Sequence, residues 1–229
     1  MPTIDPSATL GTLVAERASR GDVLERFHLD YCCGGALPLD KACADLQIDL
    51  PTVLRALEAE DRKPLPPDAR DWRAAPLDQL VDHIVGTHHV FLREILPRAS
   101  ARVEKIAKVH GTNHAELWVV RELFQKLHDE MLAHLKKEEE VIFPAVRAIA
   151  ARKPLPEASL KEMVDEHEVV GSLLHRIRDL TNGYAPPADA CATYRGALAD
   201  LAAIEQDTHR HVHKENNILL PRAREMAGR

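Results

Sequence analysis

The chain has 229 residues, 45% hydrophobic and 29% charged, enough to bury a core in one large domain, or in a large domain with a small one attached. A formal net charge of −6 with scattered basic residues excludes the basic stripe of a nucleic-acid-binding surface. No apolar run approaches the ~20 residues of a membrane helix, and Met1-Pro-Thr-Ile-Asp-Pro6 lacks the basic start and apolar stretch of a secretion signal. The expectation is a soluble cytoplasmic protein with neither nucleic acid nor membrane as partner.

Residues 1–61 read as a small helical module containing Leu29-Asp-Tyr-Cys-Cys-Gly-Gly35. Adjacent cysteines do not easily meet disulfide geometry, so Cys32 and Cys33 are not a staple, and two glycines after them predict a flexible turn. Cys43 and Cys191 read as small core residues. Residues 62–76 form a linker whose Arg62-Lys-Pro-Leu-Pro-Pro-Asp68 cannot continue a helix, and the module is expected to move on it.

Residues 77–229 carry four stretches of helical period. The first, about Leu77 to Leu96, places Leu80, Ile84, His88, Phe91 and Ile95 on one stripe, with His89 on a competing flank that periodicity does not separate from His88. The second, about His114 to Ile149, carries Val120, Phe124, Leu127, Met131, His134, Glu138 and Ile142. The third, about Glu157 to Leu180, carries Leu160, Met163, His167, Val170, Leu174 and Ile177. The fourth, about Ala188 to Met226, carries Leu201, Ile204, Thr208, His211, Glu215 and Ile218. Lys153-Pro-Leu-Pro156 and Thr181-Asn-Gly-Tyr-Ala-Pro-Pro187 break the pattern, and no alternating β-branched run is present. The fold class is all-α: an antiparallel four-helix bundle behind a small helical domain.

One pattern occurs twice. His134-x-x-x-Glu138 with Pro144 and Arg147 recurs as His211-x-x-x-Glu215 with Pro221 and Arg224, each residue displaced by 77 positions. On a helix, residues four apart share a face, so each pair aims an imidazole and a carboxylate at one point. An ionised glutamate inside an apolar stripe is costly unless it is paired or bound to metal. With His88 and His167, the stripes present four imidazoles and two carboxylates. That is too many for one tetrahedral zinc ion and suits two carboxylate-bridged ions, iron before manganese. Glu130 and Glu166 flank the stripe, either to orient the ligands or as solvated charges, while His209 and His213 point away from the face of His211.

This set, His88, His134, Glu138, His167 within Asp165-Glu-His-Glu168, His211 and Glu215, resembles the non-haem di-iron site of hemerythrin-like proteins. It departs from hemerythrin in carrying Gly171 where that family's third helix has a second histidine. Glu215, four residues after its histidine, stands for an aspartate placed five after. Leu29-Asp-Tyr-Cys-Cys-Gly-Gly35 before the bundle, Trp72-Arg-Ala-Ala-Pro-Leu77, Lys137-Glu138 with Ile142-Phe-Pro144, and Glu215-Asn-Asn with Pro221 resemble the Repair of Iron Centers family over nearly the whole chain.

The resemblance selects His88 over His89 and implies two non-haem iron ions with an oxo bridge. It implies a protein of nitrosative and oxidative stress that restores damaged iron–sulfur proteins, with nitric oxide or oxygen as small ligand. Cys32 and Cys33 are then thiols for redox work or iron transfer, against the bland reading that they pack a helix end. The alternatives are a di-iron nitric oxide reductase and a hemerythrin-like sensor or store of oxygen or nitric oxide.

Overall fold

The computed structural model describes residues 4–65, 69–151 and 154–228. Pro66, Pro67 and Asp68 of the expected linker lie outside the described residues; Arg62–Leu65 and residues 69–76 contain no helix. The described residues are helical and form no strand, only an isolated bridge between Thr9 and Pro38. Among them, no helix is long and apolar enough to cross a membrane. Contacts divide the chain into two compact units, Met1–Val81 with His209–Arg229, and Asp82–Thr208.

The first unit begins with α1 (Leu10–Glu16), α2 (Arg20–Arg26), α3 (Leu39–Asp45) and α4 (Leu50–Asp61). The Thr9 hydroxyl and the Asp49 carboxylate accept the Thr12 and Thr52 N–H groups, capping α1 and α4. α2 ends where His28 takes a left-handed φ of 56°, and this turn launches the Leu29–Gly35 loop. Leu10, Leu13, Leu24, Tyr31, Leu39, Val53 and Leu57 build its core. Arg20, 8% exposed, closes that core by bonding Asp61, Glu16 and the Leu13 carbonyl.

α5 (Leu77–His83) runs through a π turn, Ile84–His89, into α6 (Val90–His110). α7 (Glu116–Lys137) leads through a second π turn, Glu138–Ile142, to α8 (Phe143–Arg147) and a 3-10 turn, Ala148–Ala151. α9 is Glu157–Leu180; α10 (Ala192–Lys214) ends in a third π turn, Glu215–Leu219, and α11 (Leu220–Ala227). In the second unit α6, α7, α9 and α10 share one core, including Leu96, Val103, Phe124, Met131, Leu174, Ile177, Leu198 and Ile204. It is a four-helix bundle.

Two expectations differ, one on a helix end and one on a cysteine. α6 does not stop at Leu96 but carries Pro97 inside it, because Ala99, Val103 and Ile106 continue the buried stripe. Packing of that face outweighs the one backbone hydrogen bond that proline forfeits. Cys43 is buried as expected, but Cys191 is exposed just before α10. The N–H of Tyr194 and then the His110 imidazole, 3.3 Å from Sγ, hold the Cys191 thiol down at about 7.

Candidate metal centre

The π turns set the geometry. Pro144 and Pro221 each lack the N–H an α-helix would use, and each follows a turn in which the chain bonds five residues back: Phe143 N–H to the Glu138 carbonyl, Leu220 N–H to the Glu215 carbonyl. The displacement of 77 residues seen in the sequence thus separates two identical turns, each opening on a buried glutamate.

In the second unit the donors converge on Glu138, which has no solvent exposure. Oε2 lies 3.2 Å from Nε2 of His89, and Oε1 lies 3.2 Å from Nε2 of His134. Nε2 of His167 lies 3.0 Å from Nε2 of His134. All three imidazoles are buried. In the first unit, Nε2 of His211 lies 2.9 Å from Oε1 of Glu215, both buried, one turn apart on the helix.

Carboxylates hold the outer nitrogens. Nδ1 of His134 lies 2.7 Å from Oε2 of Glu166, whose other oxygen takes the Lys137 ammonium at 2.9 Å. The His134 imidazole holds the Glu166 carboxyl down at about 2, so it is ionised at neutral pH and accepts the Nδ1 proton. Nδ1 of His89 lies 2.6 Å from Oε1 of Glu139, which Arg93 grips at 2.9 and 3.0 Å. Burial pushes the Glu139 carboxyl up, but Arg93 and His89 outweigh it and leave it below its ordinary value.

With Nδ1 protonated, His89 and His134 each turn an Nε2 lone pair toward Glu138. Two lone pairs facing two carboxylate oxygens in a dry interior repel one another, and the arrangement becomes favourable when cations sit among them. An all-imidazole-and-carboxylate set suits iron or manganese, and a carboxylate with a histidine at each oxygen suits two ions. The residues fit a di-iron centre.

Of the expected ligands, the structure brings His134, Glu138 and His167 into one group and His211 beside Glu215. His88 is not in the group; it is buried with Nδ1 2.8 Å from Asp207 Oδ1, and His89 stands where it was expected. The cause is the π turn: Val90 N–H reaches back five residues to the Val85 carbonyl, and the widened turn carries the inward face one residue on. Of the two readings open for Glu130 and Glu166, Glu166 takes the first, bonded to His134, and Glu130 the second, exposed; Glu139 was hidden in a run of three glutamates. His213 lies on the side away from His211, its ring 5.5 Å from Tyr31.

The cysteine pair is not on a loose arm. Asp30 accepts the N–H groups of Cys32, Cys33 and Gly34 at 2.9, 3.0 and 2.9 Å. Cys32 is 7% exposed, with Sγ 3.1 Å from Asp30 Oδ1 and 4.0 Å from Cys33 Sγ. The neighbouring Cys33 thiol, with burial, pushes the Cys32 thiol well up, whereas Cys33 is half-buried. Asn217 donates to the carbonyls of Tyr31 and Cys32 at 3.2 and 3.0 Å. The proline-rich stretch therefore does not leave these thiols free to travel.

Residues 79–223 match the family described as the hemerythrin HHE cation binding domain, and residues 6–61 match a domain of unknown function, DUF542. The chain is 31% identical over 214 residues to the iron-sulfur cluster repair protein YtfE of Escherichia coli O81 (strain ED1a), covering 93% of this chain and 95% of that protein. It is 30% identical, with the same coverage, to YtfE of Escherichia fergusonii. The bundle, the carboxylate bridged between two imidazoles and matches over both halves make this chain a member of the Repair of Iron Centers family of hemerythrin-like di-iron proteins.

Proposed function

We propose that the chain works in the cytoplasm and helps restore damaged iron–sulfur proteins; its relatives are named as iron-sulfur cluster repair proteins. Two irons are held by His89, His134, Glu138 and His167, with His211 and Glu215 completing the set from the second copy of the motif. The support for the last two is their identical register on a π turn, their burial and the repeated spacing. Bound there, iron supplies a redox-active pair of cations able to take a small ligand such as nitric oxide or oxygen.

The chain's own residues hold and shape that centre. Glu138 offers one oxygen to each half of the site. Glu139 and Glu166 fix the His89 and His134 tautomers and orient each Nε2 toward Glu138. Phe143 stacks on His89, ring centroids 5.6 Å apart, and shields that imidazole. Cys32 and Cys33, soft ligands in the 1–61 module, meet the client's cluster or its iron once their loop exposes them; the donors of residues 77–229 hold the resident metal.

The observation that carries this reading is the Glu138 carboxylate set between His89 and His134. The test is recovery of an iron–sulfur enzyme whose cluster has been broken by nitric oxide. Iron-loaded wild type restores it, and Glu138→Ala, depleted of iron, does not. Equal recovery with both proteins contradicts the proposal.

A further inference from the structure

The segment His211–Leu219 has two working faces. His211 and Glu215 occupy one, four residues apart and buried. His213 and Asn217, also four apart, occupy the opposite one, because two residues along a helix turn the side chain by about 200°. That second face grips the thiol loop. Asn217 Nδ2 donates to the carbonyls of Tyr31 and Cys32, 3.2 and 3.0 Å away. His213 Nδ1 lies 3.3 Å from the same Tyr31 carbonyl, and the phenol of Tyr31 is anchored at its far end by Glu25, 2.8 Å away.

The fit is tight enough to transmit a shift. A Cβ on Gly11 or Gly35 would run into the Asn217 side chain, so both glycines are there to let the amide in. Asp30 closes the loop from within through the N–H groups of Cys32, Cys33 and Gly34. A movement of the turn that carries Glu215 therefore reaches the Cys32 carbonyl through one side chain.

We propose that Asn217 is a positioning residue that ties the Cys32–Cys33 loop to the ligand-bearing turn, so that iron held by Glu215 and access to the two thiols are linked. The inference rests on the di-iron reading for the role of Glu215. With iron bound the turn is fixed, the clamp is closed and Cys32 stays buried. Loss of iron frees Glu215, loosens the turn and opens the thiols. By linkage, opening the loop also weakens iron retention.

The test uses the full chain and site-resolved mass spectrometry of iodoacetamide labelling, with iron counted in the same samples. In iron-loaded wild type, Cys32 labels slowly, and chelation speeds it by about tenfold or more, the order set by two net hydrogen bonds. Asn217→Asp, which keeps the shape but turns a carboxylate toward two carbonyls, labels fast with or without iron and releases iron sooner to a chelator. Asn217→Gln, which keeps the amide but is one methylene too long for the space beside Gly11 and Gly35, also labels fast, and circular dichroism checks that helix content is unchanged. Two irons per chain with Cys32 labelling indifferent to chelation overturns the linkage alone. Less than stoichiometric iron in wild type overturns the di-iron reading, while labelling of the Asn217 variants at the wild-type rate overturns the clamp itself.

Discussion

Nδ1 of His134 lies 2.7 Å from the Glu166 carboxylate, and Nε2 of the same ring lies 3.2 Å from Glu138. One imidazole is thereby fixed in tautomer at its outer nitrogen and left with a lone pair at its inner one. Glu166→Gln keeps the shape but removes the charge that makes Nε2 basic. Iron affinity should fall about 10- to 100-fold, read by competition with a coloured chelator, with helix content unchanged. Unaltered affinity contradicts an orienting role.

His88 and His89 are adjacent and both buried, yet only His89 faces Glu138. His89→Gln should lose most of the iron. His88→Gln should keep both ions and lose mainly its contact with Asp207. Iron content of the two variants decides this, and the reverse pattern would restore His88 as the ligand.

That pair also shows where the sequence stops being informative. The helical period of residues 77–96 marks the right helix and the right two residues, but the π turn Ile84–His89, unlike those before Pro144 and Pro221, adds its residue with no proline to signal it. His134, Glu138 and His167 were legible because an α-helical register runs unbroken up to each of them. The second motif was legible through its repetition: the prolines at 144 and 221 stand at the same distance from their glutamates, and both force the same turn. Glu139 was not, since a charge beside charges looks solvated. Nor was the clamp on the cysteine loop, because Asn217 and Tyr31 are 186 residues apart and nothing local links them.

Metal should stabilise the fold. Without cations the lone pairs and carboxylates around Glu138 repel in a buried space. Chelation should lower Tm by about 10 °C if iron otherwise stands near ~1,000 times its Kd, with helix content largely kept. Identical melting curves for apo and loaded protein would contradict this.

Asp30 gives the thiol loop a pH dependence. Burial pushes its carboxyl up, but the Cys32 thiol and the N–H groups of Gly34, Cys32 and Cys33 outweigh burial and leave it below its ordinary value. A depressed carboxyl stabilises the loop fully above the unfolded value of ~3.9 and loses that contribution as pH falls through the folded value. Asp30→Asn should therefore label faster at Cys32 than wild type at pH 7, and in acid the two should converge once each rate is divided by that of a free thiol at the same pH. A variant that labels like wild type at pH 7 argues against Asp30 as the loop's anchor.

Cys32→Ala/Cys33→Ala should leave iron content and its spectrum intact and weaken recovery of a damaged cluster, because neither thiol is among the proposed ligands. If recovery is undiminished, the pair only packs the module.

The most direct test of the account is the iron count of Glu138→Ala and Glu215→Ala beside wild type after identical reconstitution and desalting. Wild type should hold about two irons per chain, as six ligands suit, both variants should lose most of that iron, and His209→Ala should be unchanged. One tightly bound zinc ion per chain, indifferent to either glutamate, would contradict this.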